Sequence, residues 1–219
     1  MTDLASLARD GILRAAINTG NRALVTVDGD RLSGPSPDLA RRLADEIGAR
    51  LEPVIYDGAG KVFADATRDA WDVGFLAIDA TRARVIGFTR PYRGIDATYA
   101  VRDGGPVSAI DDADRPGRTV LVGQGSAYDM HLTATLTQAE IARFPTPGDS
   151  FRAFAAGEGD CVAGIRESLT THFDGAAGIR VLPDAFHRVE QAMVLPDRND
   201  PRLAALDDFV RRAIEAGAV

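Results

Sequence analysis

The sequence predicts an α/β fold, and three features of the chain lead to that prediction. Short apolar runs alternate with amphipathic segments of helical periodicity along most of its 219 residues. Apolar residues make up 45% of the chain and charged residues 26%, a balance typical of globular proteins and unlike that of disordered chains. A chain of this length can bury a sizeable core, either in one large domain or in two smaller lobes.

The first half of the chain begins with a strand, predicted from the apolar run at residues 12–17. Ser36 and Pro37 then supply an N-cap residue and a proline at the first helical position, which together favour a helix start. Apolar residues recur at helical spacing from there until Gly48, which ends the predicted helix. The other elements predicted in this half are strands at residues 51–56, 71–78 and 95–101 and a helix at residues 61–70.

The pattern starts afresh after Gly104-Gly105-Pro106, the clearest break in the middle of the chain. A tight turn at residues 123–126 leads into a predicted helix, and Asp149 is placed to cap another. The predicted helices of this half cover residues 108–114 (a single capped turn), 127–136, 149–156, 166–173 and 201–216, and the predicted strands cover residues 118–122, 141–144, 161–165, 179–182 and 189–195.

Charge and cysteine content exclude several classes of protein. The formal net charge is −7, whereas a nucleic-acid binder needs a clustered basic surface. Cys161 is the only cysteine, so an intrachain disulfide is excluded and a thiolate zinc site is implausible. No window approaches the ~18 apolar residues that a membrane span needs. Residues 1–4 lack the basic and apolar regions of a leader, so we expect a cytoplasmic protein if the chain is complete, and a periplasmic one if a leader was removed.

Motifs for metal, nucleotide or nucleophilic chemistry are absent from the sequence. His131, His172 and His187 do not have the spacing of metal ligands, so we expect no metal site and no cofactor. Ser126 lies in Gly-Gln-Gly-Ser-Ala, which matches neither the nucleophile elbow nor a dinucleotide-binding loop.

The segment from Asp79 to Tyr92 carries a family resemblance. Thr81-Arg82 and, further on, Phe88-Thr89-Arg90-Pro91-Tyr92 resemble the TPERxxxxxFSxPY segment of the polar amino-acid binders, family 3 of the type II periplasmic solute-binding proteins. These proteins are the substrate-binding family of ABC transporters. Four further segments resemble landmarks of that family and occur in the same order, at residues 34–39, 71–73, 123–126 and 157–160.

The resemblance implies a two-lobed type II periplasmic-binding-protein fold, with two mixed sheets flanked by helices and a ligand cleft between the lobes. Lobe 1 would comprise residues 1–95 plus 190–219, and lobe 2 residues 96–189. The chain would cross between the lobes near residues 94–97 and 188–191. Ligand would be bound by closure of the two lobes, which stabilises the closed state because the ligand touches both.

Arg82 is the principal candidate for ligand binding, because it aligns with the arginine that grips the ligand carboxylate in this family. A planar guanidinium matches a carboxylate with two parallel charge-assisted hydrogen bonds. The alternative is an arginine that caps a helix end at the surface. Gly125 and Ser126 would offer backbone N–H groups at a helix N-terminus, which is a site for an anion, or Ser126 is an ordinary N-cap.

The sequence departs from the family at the position that pairs the ligand's α-ammonium. In the amino-acid binders that position is Asp, and here it is Ile165, followed by Arg166. Phe75 and Ala77 stand where serine or threonine usually helps to hold the carboxylate. We therefore expect weak binding of standard amino acids, since a buried ammonium without a counter-charge is costly. Arg166, if it is not a solvated helix-start residue, would favour a dicarboxylate or another anion with two acceptor ends.

Five further polar residues are candidates for ligand contact. Lys61 is notable because the other 24 basic residues of the chain are arginine. It follows a loop at a strand end, where it is either a ligand contact or a solvated side chain. Tyr128 could cover a ligand or pack in the core. The five candidates are Asn18, Asn21, Lys61, Tyr128 and Gln191.

The sequence therefore predicts a monomeric solute-binding protein for a small organic anion: a carboxylate, a dicarboxylate or an amino-acid derivative. If the protein is exported, membrane components of an ABC transporter would be its partners. We expect no nucleic-acid partner and no direct insertion of the protein into a membrane. One alternative is an enzyme of the cyclohexadienyl-dehydratase type on the same fold, with Glu167, Asp129 or Glu190 as a general acid. Another alternative is a cytoplasmic ligand-sensing protein.

Overall fold

The computed structural model describes residues 4–218 and confirms the α/β fold. The described residues form eleven strands and six α-helices, together with three short 3-10 helices. The strands are β1 Ile12–Asn18, β2 Thr26–Asp28, β3 Arg31–Ser33, β4 Arg50–Tyr56, β5 Val73–Ala77, β6 Gly87–Arg102, β7 Thr119–Gly123, β8 Glu140–Phe144, β9 Cys161–Ile165, β10 Ile179–Val181 and β11 His187–Leu195. The helices are α1 Pro35–Glu46, α2 Ala59–Ala64, α3 Ala127–Thr135, α4 Pro147–Ala155, α5 Arg166–His172 and α6 Leu203–Glu215.

The first of two compact units comprises the described residues up to Thr19, then Leu24–Gly94 and the chain from Glu190 onward. Its sheet has the strand order β4-β1-β5-β11, in which β1 is parallel to β4 and β5, and β11 is antiparallel to β5. Trp71 packs with Leu76 and Val62 in the core of this unit, and its indole N–H donates to the Val62 carbonyl oxygen at 3.2 Å. The sheet is therefore mixed and buries its apolar face against α2.

The second unit comprises Gly20–Ala23 and Ile95–Val189. Its sheet has the order β6-β9-β7-β8, with β10 added to β6, and contains both parallel and antiparallel pairs. Phe151, Phe154 and Leu169 join β7 and β9 in the core of this unit. Parallel β7 and β9 are followed by α3 and α5, so the N-termini of both helices lie at one edge of this sheet.

Helix α1 begins at Pro35, two residues before the predicted first helical position at Pro37. Gly34 is the N-cap with φ of 105°, and a Cβ atom there would lie 2.7 Å from the Leu24 carbonyl oxygen. The Ser36 hydroxyl instead forms a buried hydrogen bond of 3.0 Å with the Tyr92 hydroxyl. The serine therefore links α1 to β6 rather than capping the helix.

Two other helices differ from their predicted bounds. Helix α2 ends at Ala64 instead of residue 70, and Asp69 has the left-handed φ of 54°, which a helix cannot contain. Helix α4 is capped by Thr146, whose hydroxyl accepts from the Asp149 N–H at 3.1 Å, so Asp149 is not the cap. The β2–β3 hairpin was not predicted, although the two residues between its strands, Gly29-Asp30, are a hairpin turn signal.

Strands β6 and β11 each continue from one unit into the other along the chain. The residues on which the leader argument depends, Met1 to Asp3, lie outside the described part of the chain. Within that part, no helix combines the length and the apolar character that crossing a bilayer requires.

Candidate functional site

Arg82 lies just beyond the carboxyl end of β5, in a short 3-10 helix formed by Arg82–Arg84. The Asp79 carboxylate organises this turn, because it accepts the backbone N–H groups of Thr81 at 2.7 Å and of Arg82 at 3.1 Å. The Arg82 side chain then turns back to the strand, where Nη1 donates to the Ala77 carbonyl oxygen at 3.1 Å. Only 1% of the residue is exposed, so the alternative of a surface cap does not describe it.

Burial is the main influence on the charge of Arg82. It lowers the pKa of the guanidinium to about 10, and the negative charge of Asp79 opposes this shift. The side chain is still a cation at neutral pH, but its charge is held in a desolvated setting. An anion bound to this guanidinium would recover part of the lost solvation energy.

Asn18, Ala77 and Gln191 lie in the same unit as Arg82. Asn18 is the half-buried last residue of β1, and Ala77 is the buried last residue of the parallel neighbour β5. Gln191 is buried on β11, directly opposite Ala77 in the register. The carboxyl ends of β1 and β5 therefore bring Asn18, Ala77 and the Arg82 turn to one edge of this sheet.

Lys61 lies in the first unit as well, near the start of α2, and its environment matches the solvated alternative. Its Nζ lies 2.7 Å from Asp57 Oδ1, one helical turn earlier, and 49% of its side chain is exposed. Such an exposed pair is screened by solvent and contributes little.

The predicted anion turn lies in the second unit, between β7 and α3. Gly125 takes a left-handed φ of 69°, which turns its N–H toward Asp129, and this N–H donates to Asp129 Oδ2 at 2.9 Å. The Ser126 N–H donates to the Gly123 carbonyl oxygen at 3.2 Å, while its hydroxyl accepts from the Asp129 N–H at 3.1 Å. The turn thus binds the carboxylate of its own helix, and an external anion would have to displace Asp129.

Arg166, at the start of α5, also has partners within the second unit. Its Nη1 donates to the Leu182 carbonyl oxygen at 2.8 Å, and its Nε lies 3.8 Å from Asp96 Oδ2. Arg188 lies 3.6 Å from the other oxygen of Asp96. Arg166 therefore helps to neutralise Asp96.

Asn21 and Tyr128 are buried polar residues of the second unit. Asn21 is 9% exposed, and its Oδ1 has no hydrogen-bond partner among the described residues. Tyr128 is 3% exposed, and burial raises the pKa of its hydroxyl. That hydroxyl lies beside the Ser126 side chain and the Gly123 backbone, which oppose the shift, yet neither contact has hydrogen-bond geometry.

Ser168 is a residue that the sequence analysis missed. Its hydroxyl accepts the Arg22 N–H at 3.0 Å and lies 3.3 Å from the Gly20 carbonyl oxygen, to which it donates. It thereby ties the segment of Asn21 to the first turn of α5. Nothing in the sequence pairs two segments that lie more than 140 residues apart. Within residues 4–218, no three His, Cys, Asp or Glu side chains form a group that could hold a metal ion.

Comparison with known proteins decides the family. The sequence profile of the bacterial extracellular solute-binding proteins, family 3, matches residues 13–219. The chain belongs to this family. The family is described as extracellular, which agrees with the periplasmic alternative and gives no support to a cytoplasmic protein.

Several known proteins resemble the chain at low identity. The L-cystine-binding protein TcyJ of Escherichia coli strain K12 is 24% identical over 88% of this chain and 73% of its own. The cyclohexadienyl dehydratase of Pseudomonas aeruginosa is 25% identical over 98% of this chain and 82% of its own. Among solved structures, the amino acid ABC transporter substrate-binding protein AbpA of Streptococcus pneumoniae, bound to L-arginine, has a TM-score of 0.79 at 19% identity, over 94% of this chain and 90% of its own. At that identity the structural match shows the fold alone.

Proposed function

We propose that this family 3 protein binds a small solute through a carboxylate of that solute and delivers it to the membrane components of an ABC transporter. The observation that carries the proposal is Arg82, a cation buried at the carboxyl edge of a parallel strand pair, where α/β proteins bind ligands. A bidentate carboxylate would compensate the desolvation that lowers the Arg82 pKa.

The similar proteins support the proposal. TcyJ is named for binding L-cystine, and AbpA binds L-arginine, and each of these solutes carries an α-carboxylate. AbpA is the substrate-binding component of an ABC transporter, and the family is described as extracellular, which supports a location outside the cytoplasmic membrane. Closure of two lobes on the ligand, which the resemblance implies, stays a prediction.

Replacement of Arg82 tests the proposal. We expect Arg82→Met to weaken binding of a carboxylate ligand roughly hundredfold, because about 2–3 kcal/mol of charge-assisted hydrogen bonding is lost. The unliganded protein should lose no more than about 1–3 kcal/mol of stability, because the Ala77 carbonyl oxygen loses the hydrogen bond from Nη1 while the desolvation of a buried charge is relieved. Thermal shift against a panel of small carboxylates, followed by calorimetry on any that bind, measures both effects.

Arg84→Ala is the matched control, because Arg84 lies in the same 3-10 helix but is exposed. It should leave both the ligand response and the melting temperature unchanged. Full ligand-induced stabilisation of Arg82→Met would exclude the carboxylate role. A large loss of stability in Arg82→Met without any ligand would instead assign Arg82 to the fold.

A second candidate function is an enzyme of the dehydratase type, favoured by the P. aeruginosa relative, whose match covers nearly the whole chain. The environments of two of the proposed general acids do not favour a dehydratase function. Asp129 Oδ2 accepts a hydrogen bond from the Gly125 N–H, and Asp129 Oδ1 accepts one from Arg143 Nε at 3.0 Å. Glu167 is exposed to solvent. Incubation with a cyclohexadienyl acid and ultraviolet detection of an aromatic product distinguishes the two functions, since a binder forms none.

A further inference from the structure

We propose that Asp79 is a positioning residue for Arg82 and that its charge limits how tightly the site holds an anionic solute. This inference rests on the proposed function, and it concerns the regulation of affinity at that same site. It is drawn from the first unit alone, to which both residues belong.

The carboxylate of Asp79 fixes the backbone of the Arg82 turn. Its Oδ1 accepts the N–H of Thr81 at 2.7 Å and the N–H of Arg82 at 3.1 Å. The chain is joined to the sheet directly before this turn, since the Ile78 N–H donates to the Glu190 carbonyl oxygen of β11 at 2.8 Å. Hydrogen bonds from a side chain to the nearby backbone hold a short turn in one conformation. Asp79 therefore sets the direction in which the Arg82 side chain leaves the backbone.

The Arg82 side chain tolerates little displacement from this direction. Only 1% of the residue is exposed, and its Nη1 donates to the Ala77 carbonyl oxygen at 3.1 Å. A hydrogen bond weakens steeply when its distance or angle departs from favourable values. A shift of the turn would therefore move the guanidinium away from the place at which a carboxylate meets it.

The charge of Asp79 acts on the same guanidinium. Burial lowers the pKa of Arg82, and the negative charge of Asp79 opposes this shift. Two other charged residues of the first unit adjoin the turn, the exposed Arg84 and the half-buried Glu190, and neither contributes to the shift. A negative charge close enough to stabilise the cation also repels an anion that binds there. The solute carboxylate therefore binds against the field of Asp79.

This negative charge is separable from the hydrogen bonds of the turn. In the family segment TPERxxxxxFSxPY, the residue three positions before the arginine is threonine, and this chain has Asp79 there. The hydroxyl of a threonine, like the amide oxygen of an asparagine, is able to accept backbone N–H groups, and neither side chain carries a charge. The aspartate of this chain therefore adds a negative charge that the turn itself does not require.

Three substitutions separate the two roles of Asp79. Asp79→Thr and Asp79→Asn, the two acceptor variants, keep an acceptor for the N–H groups and remove the charge, whereas Asp79→Ala removes both. Calorimetry on the purified protein measures the affinity of each variant for four probes: L-arginine, L-cystine, lactate and succinate.

The two roles predict opposite changes in affinity. For a probe that needs Arg82, we expect the two acceptor variants to bind about threefold to tenfold more tightly than the wild type, because a repulsion is removed. Asp79→Ala should bind about tenfold more weakly than the two acceptor variants, because Arg82 is no longer held in place.

A measurement on the unliganded protein reports the position of Arg82 directly. Hydrogen exchange of the Arg82 Nε–H is followed by nitrogen-15 NMR, and its signal is assigned by its absence from Arg82→Met. Exchange should be slow in the wild type and in the two acceptor variants, and about tenfold faster in Asp79→Ala. Urea denaturation of the same proteins separates this local effect from a general loss of stability.

Asp197→Ala is the matched control. Asp197 Oδ1 also accepts an N–H two residues further along the chain, that of Asn199 at 2.9 Å, and Asp197 is an exposed acid of the same unit. This variant should change neither the affinity for the probes nor the exchange of the Arg82 Nε–H.

The outcomes separate this inference from the proposed function. Tighter binding by the two acceptor variants, with weaker binding and faster exchange in Asp79→Ala, supports the inference. A probe that needs Arg82 but binds the acceptor variants no more tightly overturns the role in affinity and leaves the proposed function standing. Unchanged exchange in Asp79→Ala overturns the positioning role, and so does an Asp79→Ala protein that fails to fold.

Two further outcomes concern the solute. A probe that binds Arg82→Met as tightly as the wild type contradicts the proposed function, and the exchange rates then decide the positioning role by themselves. If no probe binds the wild type or the acceptor variants, the role in affinity is overturned.

Discussion

Arg82 and Lys61 show how differently two cations of one unit are used. Arg82 is enclosed at the end of β5 and makes its hydrogen bond to the Ala77 carbonyl oxygen, whereas Lys61 pairs with Asp57 in solvent. A desolvated guanidinium gains much from an anion, and a solvated ammonium gains little. At the residue scale, burial decides which cation is a ligand candidate, and rarity in the composition does not.

The role of Lys61 is testable at this scale. Lys61→Met should change the free energy of unfolding by less than about 1 kcal/mol, since an exposed helical ion pair contributes little. It should leave ligand-induced stabilisation unchanged, as measured by thermal shift beside the wild type. A loss of ligand response comparable to that of Arg82→Met would instead indicate that Lys61 contacts the ligand.

At the element scale, β1 and the segment before β5 are joined by an ion pair between the partly buried Arg14 and the buried Asp72. Asp72 accepts the Arg14 N–H at 2.8 Å and the Arg14 Nε and Nη2 at 3.1 and 2.7 Å. Asp69, next to it, contacts the same arginine but is exposed, and its interactions with Arg9 and Arg14 lower the pKa of Asp69 to about 2. The pair holds together two neighbouring strands whose carboxyl ends form the Arg82 edge.

We expect Asp72→Asn to destabilise the protein by about 2–4 kcal/mol, because a buried carboxylate that accepts three N–H groups of Arg14 is replaced by a neutral amide, whose nitrogen cannot accept them. Asp69→Asn is the matched control and should destabilise the protein much less than Asp72→Asn, since solvent screens the exposed pair. Urea denaturation of the two variants measures the difference. Equal effects would show that burial does not separate the two carboxylates.

At the scale of the whole molecule, two histidines from distant parts of the chain form a stack. His131 on α3 and His187 at the start of β11 have ring centroids 4.1 Å apart and nearly parallel planes, and Phe186 and Tyr99 extend the stack. Burial lowers the pKa of both histidines, and for His131 the charge of His187 adds to this effect. The stack therefore favours neutral imidazoles.

This arrangement predicts how stability depends on pH. Because the folded pKa values lie below the unfolded one near 6.5, the unfolded chain binds more protons in the interval between them. Stability should be complete above about pH 6.5 and fall as the pH drops toward the folded pKa values. Denaturation midpoints between pH 5 and 8 should show a shallower fall for His131→Phe/His187→Phe. An unchanged slope would contradict this assignment. His172, whose pKa burial also lowers, remains in both proteins.

Much of the fold was predictable because the patterns that specify it are local. The order of strands and helices follows from apolar runs, helical spacing and turn residues. The segment from Thr81 to Tyr92, together with four further landmarks in the same order, indicated the family. Two helix caps were predicted at the wrong residues, Ser36 and Asp149. The Ser36 hydroxyl hydrogen-bonds to Tyr92, which is distant in sequence. The helix that Asp149 was expected to cap is capped by Thr146 instead.

The sequence could predict which residues are candidates for the site, but not their burial or their hydrogen-bond and charge partners. The sequence by itself determined the α/β fold and the family. Only the tertiary structure decided that Arg82 is buried, that Asp129 occupies the Gly125 turn, that Arg166 balances Asp96, and that Ser168 fixes the segment of Asn21. The physical reason is that secondary structure depends on neighbours along the chain, whereas desolvation and charge pairing depend on groups that only folding brings together.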